Sequence, residues 1–405
     1  MSESSLICTR TLFQMSSLSP IQLRGITWNH TRGYLPMVAT AQRFSELHPG
    51  VTISWQARSL QAFADQPLAE LARSFDLLVI DHPSIGLAAE ADLLIALDRH
   101  LPADFLADQA RNSVGGSHAS YTWQSHQWSL AIDAATPVGG WRPDLLARAN
   151  AEVPETWDQL LALAHRGLVA FPGLAIDSLM HLYMLALALG EEPFQQPGHF
   201  ISEETGVESL SMLRTLVTAC HPSCLARNPI ATWEELANGD QVAYCPFAYG
   251  YSNYSRLGYA KHPLTVGGLV SLANGARLRS TLGGAGLAVS RATAHLDPAI
   301  EYARFAASSA IQSTLYVDAG GQPGHRDAWI DDEVNRRSNR FFSSTLPTLD
   351  AAYVRPRFPG YLDFQDAAAP VVHRYLSTGG DAREVIQKLN CLLDSAQSNK
   401  KVVMD

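Results

Sequence analysis

The sequence predicts an α/β protein built from two lobes. Two observations support this prediction. The first hundred residues alternate between strand and helix patterns, which is typical of an open α/β sheet. The chain has 405 residues, more than a single hydrophobic core usually organises, so two domains or lobes are expected.

The first strand, helix and second strand are predicted within ITWNHTRGYLPMVATAQRFSELHPGVTISW. Residues 21–28 alternate and then become continuously apolar, which indicates a strand. Pro36 is tolerated in the first turn of a helix, the apolar residues after it recur at helical spacing, and HPG ends that helix. Residues 51–56 alternate between apolar and polar, the period of a half-buried strand.

The next strand is predicted in FDLLVID, residues 75–81, whose apolar run indicates burial on both faces of a parallel sheet. In open α/β sheets, ligands bind beyond the carboxyl ends of the strands. Polar and aromatic side chains stand at two such ends: Trp28, Asn29, His30, Asp81 and His82. We therefore expect these side chains to face a ligand. The alternative is that Trp28 is buried packing and Asn29 caps the helix.

Helices account for most of the remaining periodic segments. Thr156 is a suitable N-cap for the helix in TWDQLLALAHRG. Further helices are predicted at 178–189, ending at Gly190, and at 208–219. In the C-terminal third, three segments that begin with Asp carry helical spacing: 297–317, 366–380 and 381–396.

Composition excludes several classes of protein. The net charge is −9 without a Lys/Arg block, which argues against a nucleic-acid or anionic membrane surface. No window approaches the ~20 apolar residues of a membrane span. Residues 1–20 are Ser-rich and are expected to form a disordered arm, and they lack the apolar run of an export signal.

The cysteines, at 8, 220, 224, 245 and 391, are odd in number and scattered. This pattern argues against a disulfide framework, although a local Cys220–Cys224 disulfide is conceivable. No pair of CxxC motifs is present, so a structural zinc site is not expected.

Several segments in a fixed order carry a resemblance to a known family. The most specific is QWSLAIDAATPVGGWRPDLLARANAEVPETWDQLLALA, which resembles that family's hinge strand, aromatic strand, short helix and P-x-T-W-D-x-L motif. TWEELANGDQVAYCPFAYGY, TLGGAGLAVSRATAHLDPAIEYARF and VRPRFPGYLDF follow in the family's order. Over residues 21–400 the chain resembles the family 1 extracellular solute-binding proteins of ABC importers, which are maltose-binding-protein-like.

The resemblance implies a two-lobed periplasmic-binding-protein-like clamshell of type II, with an open α/β sheet in each lobe and hinge strands between them. The chain would leave the first lobe near Asp133 and return near Leu282. The implied division is an N-lobe of 21–132 plus 281–325 and a C-lobe of 133–280 plus 326–405.

The implied function is capture of a small polar solute in the cleft by a monomer that delivers it to an ABC permease. Neither enzyme activity nor a cofactor is expected. The resemblance implies a periplasmic location, whereas a chain that is complete as written would be cytoplasmic.

A sugar or sugar-like polyol is the first expectation for the solute. Sugars present flat C–H faces and a ring of hydroxyls, which aromatic rings and hydrogen-bonding side chains bind. The aromatic candidates are Trp28, Trp233, Tyr249, Tyr251 and Trp329. The polar candidates are Asn29, His30, Asp81, His82, Asp133 and Arg357. Gly283 and Gly284 would permit close backbone approach, although a tight strand crossing explains them equally well.

An organic anion is the second expectation, because Arg32 or Arg357 could bind a carboxylate or phosphate through two hydrogen bonds. Arg32 is nevertheless expected at the solvated surface. Replacement of Asp133 or Trp28 by Ala is expected to weaken binding and to leave the melting temperature of the ligand-free protein nearly unchanged.

Three other classes remain open. An enzyme is disfavoured because GxSxG, HExxH, P-loop and dinucleotide-binding motifs are missing from the sequence. A metal-binding protein would use His30 and His82, with His118 and His126 in the same lobe. A cytoplasmic clamshell sensor would keep the fold without a transporter.

Overall fold

The computed structural model describes residues 20–60, 62 and 66–401. The arm expected at 1–20 therefore lies outside the described residues, except for Pro20. Within the described part, helices flank two main β-sheets of five and three strands and a small two-stranded hairpin. The predicted α/β class is confirmed.

Ten strands are described. They are β1 (Ile21–Trp28), β2 (Val51–Arg58), β3 (Leu77–Ile80), β4 (Thr122–Trp123), β5 (His126–Gln127), β6 (Leu130–Ala135), β7 (Pro137–Trp141), β8 (Tyr244–Tyr249), β9 (Thr265–Gly267) and β10 (Gly283–Val289).

The described helices surround these strands. They are α1 (Thr31–Leu47), α2 (Leu68–Ser74), α3 (Ile85–Glu90), α4 (Ala103–Arg111), α5 (Ser117–Ser120), α6 (Pro143–Arg148), α7 (Trp157–His165), α8 (Ala175–Ala188), α9 (Glu203–Ala219), α10 (Pro229–Asn238), α11 (Leu296–Ala307), α12 (Ser309–Ile311), α13 (Asp327–Ile330), α14 (Asp332–Arg337), α15 (Phe341–Asp350), α16 (Tyr361–Thr378) and α17 (Ala382–Lys401). A π-helical turn follows α12 at Gln312–Tyr316.

The five-stranded sheet has the order β2-β1-β3-β10-β6. β1 runs parallel to β2 and to β3, whereas β10 is antiparallel to both β3 and β6. All four residues of β3 and all six of β6 are buried, as expected for strands covered on both faces. The carboxyl ends of β1 and β3 consequently meet at one edge of the sheet.

The three-stranded sheet has the order β8-β7-β9 and is antiparallel. Its core is the largest cluster of buried side chains and includes those of α8, α9 and α16. The chain passes from the first sheet to the second between β6 and β7, at Thr136, and returns at β10. The two sheets are thus linked by short crossing segments.

Helix α1 begins earlier than the sequence predicts. His30 is its N-cap, and the His30 Nδ1 atom accepts the backbone N–H of Arg32 at 3.0 Å. Pro36 is therefore the sixth residue of the helix, which corrects its expected place in the first turn. The cap is the imidazole of His30 and not the amide of Asn29.

Other predicted helix ends can be compared with the structure. Thr156 caps α7 as predicted, in a capping box with Gln159. α8 and α9 begin three and five residues before the predicted positions 178 and 208, because their first turns contain acidic residues that mask the apolar spacing. The single helix expected at 297–317 is interrupted at Ser308, whose backbone is extended.

The described cysteines are free thiols, including Cys220 and Cys224. In the part of the chain that the structure covers, no helix is both long and apolar enough to cross a membrane.

Candidate functional site

A cavity of about 630 Å³ lies between the two main sheets. One wall comes from the strand ends of the five-stranded sheet, including Trp28 at the end of β1 and Asp81 after β3. The other wall comes from the first turns of α8 and α10, from α16, and from Tyr249 and Tyr251 at the end of β8. Side chains that are distant in sequence therefore face one another across this space.

Asp133, on β6, forms a buried ion pair with Arg32 at the base of the cavity. The Arg32 Nε atom donates to Asp133 Oδ2 at 2.9 Å, and Nη2 donates to Oδ1. The third guanidinium nitrogen, Nη1, donates to the Gly250 carbonyl at 2.9 Å. Burial lowers the pKa of Arg32, but the Asp133 carboxylate outweighs burial and raises it above its ordinary value. This pair joins α1 to the segment that follows β8.

The surface position expected for Arg32 is wrong, because the residue is only 4 % exposed. Its guanidinium also lies over the Tyr251 ring, at 4.7 Å from the centroid, and 5.8 Å from the Trp28 ring. Cation–π contacts of this kind add to the ion pair when the groups are shielded from water.

Asp81 forms a second ion pair, with Arg355. The Arg355 Nη2 atom donates to Asp81 Oδ2 at 2.6 Å, and Nη1 donates to Gln365 Oε1 at 3.3 Å. The other carboxylate oxygen of Asp81 accepts the His82 backbone N–H at 2.8 Å. Burial alone would raise the pKa of Asp81, but Arg355 and the His82 imidazole, whose Nδ1 atom lies 3.1 Å from Asp81 Oδ1, hold it below its ordinary value. Asp81 therefore remains a carboxylate.

The arginine pairs change what Asp81 and Asp133 can offer to a ligand. Each carboxylate already accepts two or more charge-assisted or backbone hydrogen bonds. An organic anion would have to compete with these aspartates for Arg32 and Arg355, the two arginines among the described lining residues. The geometry thus disfavours the anion that was the second expectation from the sequence.

Asp177 lines the cavity in the first turn of α8 and is 5 % exposed. Its Oδ2 atom is buried and has no hydrogen-bond partner among the described residues. Burial raises the pKa of Asp177 to about 8, although its place at a helix N-terminus favours the ionised form. Sequence reasoning missed this residue because the helix was predicted to begin at 178. A lone acid at the start of a strongly apolar helix was the available signal.

Replacing Asp177 by Asn should stabilise the ligand-free protein at alkaline pH. The folded-state pKa lies above the unfolded value of about 3.9. The contribution of Asp177 to the stability of the folded protein is therefore most favourable below about pH 4. It is lost as the pH rises towards 8, because the unfolded chain ionises Asp177 more readily than the folded protein does. We expect Asp177→Asn to raise the free energy of unfolding by about 1–3 kcal/mol at pH 8.5, and less at pH 5, in urea titrations.

Asp158 provides the matched control, because it is an exposed acid in the first turn of α7. Asp158→Asn should not reproduce the pH-dependent gain. Equal effects of the two substitutions at both pH values would show that Asp177 is not buried as described.

Close packing explains the two glycines at the crossing into β10. A Cβ atom on Gly283 would lie 2.5 Å from the Tyr249 ring. Gly284 has a φ of +107°, and a Cβ atom there would lie 2.3 Å from the Asp133 carbonyl oxygen. Both glycines line the cavity, and Tyr249 is held beside them by a 2.9 Å hydrogen bond to Thr281.

Seven residues predicted for the site lie around this cavity. They are Trp28, Asp81, Asp133, Tyr249, Tyr251, Gly283 and Gly284. Their part in ligand binding remains a prediction. Arg32, Arg355 and Asp177 join them, and of these the sequence singled out Arg32 alone.

The remaining aromatic candidates, Trp233 and Trp329, do not line the cavity. Trp233 is buried in the core of the three-stranded sheet, and its Nε1 atom donates to the Tyr249 carbonyl at 2.8 Å. Trp329 is buried in a separate core cluster and donates to the Pro323 carbonyl at 2.7 Å. Both indoles thus shape the protein interior, and Trp233 does so by holding the strand that carries Tyr249.

The remaining polar candidates also lie outside the cavity lining. Asn29 is exposed, His82 is buried, and Arg357 donates to the carbonyls of Ala119 and Thr122. His30 caps α1, and its ring packs edge-on against Tyr251 with the centroids 4.6 Å apart. His30 therefore supports a cavity residue from behind.

A metal centre finds no support in the described part of the chain. There, no three His, Cys, Asp or Glu side chains are grouped so that they could hold a metal ion. His126 instead pairs with Asp98, at 2.9 Å. The described residues therefore do not favour the metal-binding alternative that used His30 and His82.

Comparison with protein families identifies one match. A family described as bacterial extracellular solute-binding protein matches residues 39–339, more than half of the chain. No curated protein sequence matches this chain significantly.

Solved structures provide close matches in fold. Maltose-bound MalE3 of T. maritima has a TM-score of 0.77 and 17 % identity, covering 93 % of this chain and 99 % of that chain. A ribitol-bound ABC transporter solute-binding protein of Agrobacterium radiobacter has a TM-score of 0.79 and 17 % identity, with the same coverage.

A third match is the D-mannitol-bound solute-binding protein of Agrobacterium vitis, with a TM-score of 0.76, 13 % identity and coverage of 94 % and 99 %. Identities this low establish the fold alone. The predicted two-lobed clamshell is confirmed by these matches.

Proposed function

Because this chain belongs to the family of bacterial extracellular solute-binding proteins, we propose that it binds a carbohydrate or sugar-like polyol in the cavity between its lobes and delivers it to an ABC transporter. The family consists of transport proteins and not of enzymes. The similar structures were solved with maltose, ribitol and D-mannitol, which supports this class of ligand.

The observation that carries the proposal is the combination of aromatic faces and carboxyl groups around one cavity. Trp28, Tyr249 and Tyr251 supply ring surfaces, and Asp81, Asp133 and Asp177 supply acceptors. A cavity of about 630 Å³ lies within the usual 300–1,000 Å³ of small-molecule sites. Rings against C–H faces and carboxyl groups against hydroxyls match the two surfaces of a sugar.

We propose that binding closes a hinge where the chain passes between the sheets. The Thr136 hydroxyl hydrogen-bonds to Ser280 Oγ at 2.6 Å and to the Thr281 carbonyl at 3.0 Å. A third segment lies alongside, since Tyr353 exchanges backbone hydrogen bonds with Ser280 and Leu282. The division expected from the sequence, an N-lobe of 21–132 plus 281–325 and a C-lobe of 133–280 plus 326–405, would shift at one boundary because β6 continues in the first sheet to Ala135. The moving parts would then be 21–135 plus 281–325 and 136–280 plus 326–405. Ligand contacts to both lobes would shift the population towards the closed form.

We also propose that the protein acts as a monomer outside the cytoplasm, as the extracellular family to which it belongs suggests. Light scattering of the purified protein and its recovery by cell fractionation test these two parts. A stable dimer, or retention of the protein in the cytoplasm, would contradict them.

A thermal-unfolding screen of sugars, polyols and their amine derivatives, with organic acids as the comparison set, tests the proposed ligand class. A ligand at 100 times its dissociation constant adds about 2.7 kcal/mol of stability. We expect at least one sugar, polyol or amine derivative to reach this range and the organic acids to have little effect. Stabilisation by organic acids alone would overturn the proposal.

A further inference from the structure

The cavity lining contains more acidic than basic side chains. Among the described lining residues are two arginines, Arg32 and Arg355, and four aspartates. Each arginine is paired with one aspartate, Asp133 or Asp81. Asp177 belongs to neither pair, and Asp366 adds a further carboxylate at the exposed edge of α16. Acidic side chains therefore outnumber basic ones in the described lining.

Of these acidic side chains, Asp177 is buried and belongs to neither ion pair. Its Oδ2 atom has no hydrogen-bond partner among the described residues, and an unsatisfied buried polar group is costly. Asp177 lines the same cavity as the rings of Tyr249 and Tyr251.

A buried carboxyl group in a cavity that is also lined by aromatic rings can bind an ammonium group. A carboxylate and an ammonium form a charge-assisted hydrogen bond, about twice as strong as a neutral one. Aromatic faces also attract cations that have lost their water. A neutral hydroxyl could hydrogen-bond to Asp177 but would supply no opposite charge to stabilise its ionised form.

Building on the proposed function, we propose that the solute is a cationic amine derivative of a sugar or polyol, whose ammonium group binds Asp177. The aromatic faces and the remaining polar groups of the cavity then bind the carbon chain and its hydroxyls.

Binding of an ammonium group to Asp177 should release a proton from the protein. Burial raises the pKa of Asp177 to about 8, so its carboxyl group is largely protonated at pH 7 in the free protein. When an ammonium ion binds, the carboxyl group loses its proton to the buffer, and the ligand keeps all of its own. A neutral polyol leaves the proton in place.

Calorimetric titrations at pH 7 with two matched pairs of compounds test the inference. The pairs are D-glucamine with D-sorbitol and D-glucosamine with D-glucose. We expect the amine of at least one pair to bind at least 10-fold more tightly than its neutral analogue. Its binding enthalpy should also change between phosphate and Tris buffers in proportion to their ionisation enthalpies, which reports proton release.

Two variants locate the effect. Asp177→Asn should reduce the amine preference to less than 3-fold and abolish the proton release. Asp363→Asn changes an exposed acid of α16 outside the cavity lining and should retain both.

Three results would overturn the inference. Equal or tighter binding of the neutral analogues would refute the inference that the solute is an amine bound by Asp177. An amine preference that survives Asp177→Asn would refute it as well. Neither result would contradict the proposed function. If none of these four compounds and no carbohydrate in the thermal screen binds, the proposed function fails, and the amine inference fails with it.

Discussion

Replacing Arg32 by Met should lower the free energy of unfolding of the ligand-free protein by about 3–5 kcal/mol. The substitution introduces an apolar side chain of similar length. It leaves the Asp133 carboxylate buried without its counter-ion. The side chains of Arg32 and Asp133 are only 5 % and 0 % exposed, so the carboxylate is poorly hydrated. Urea-induced unfolding of the two proteins measures the difference.

The same helix provides a matched control. Arg43 pairs with Glu46 on the surface of α1, where their side chains are 51 % and 49 % exposed. Exposed ion pairs contribute about 0–1 kcal/mol, so Arg43→Met should have little effect. If Arg32→Met also cost less than 1 kcal/mol, the buried pair at the base of the cavity would be contradicted.

This prediction reverses an expectation from the sequence. Asp133→Ala and Trp28→Ala were expected to leave the ligand-free melting temperature nearly unchanged. Asp133 is buried against Arg32, and Trp28 is buried against α1, where a Cβ atom on Gly33 would lie 2.3 Å from the indole. Both substitutions should therefore destabilise the protein as well as alter the cavity.

Filling the cavity should produce the largest loss of binding. Ala175, the first residue of α8, lines the cavity and is partly exposed. A Trp side chain at this position would occupy ligand space without displacing the core. We expect Ala175→Trp to weaken binding of the tightest ligand from the thermal screen at least 100-fold, about 2.7 kcal/mol, in calorimetric titrations.

Ala367→Trp is the control for this change. Ala367 is an exposed helical alanine on α16 and does not line the cavity. This variant should bind the same ligand as tightly as the wild-type protein. Equal binding by both tryptophan variants would place the ligand elsewhere.

The strand ends were the part of the site that could be predicted from the sequence. Continuous apolar runs identify buried strands, and the residues that follow them meet at one edge of the sheet. This reasoning brought Trp28 and Asp81 to the same cavity. The order of motifs in the family resemblance predicted the crossing near Asp133 and the two glycines that begin β10.

The ion pairs could not be predicted from the sequence, because their partners are far apart along the chain. Arg32 and Asp133 are separated by 101 positions, and Asp81 and Arg355 by 274. In VRPRF, the sequence pointed to Arg357 as a possible partner for a ligand. Packing instead places Arg355 at the cavity and Arg357 against backbone carbonyls. The sequence likewise does not show whether Trp233 and Trp329 line the cavity or pack inside the protein. In the structure, their indole N–H groups donate to backbone carbonyls in the interior.

A crystal structure with the tightest ligand from the thermal screen tests the central claim most directly. We expect the solute between the two sheets, in contact with Trp28 or Tyr251 on its faces and within hydrogen-bond distance of Asp177. A solute bound outside this cavity, with these three side chains unchanged from the ligand-free protein, would contradict the account.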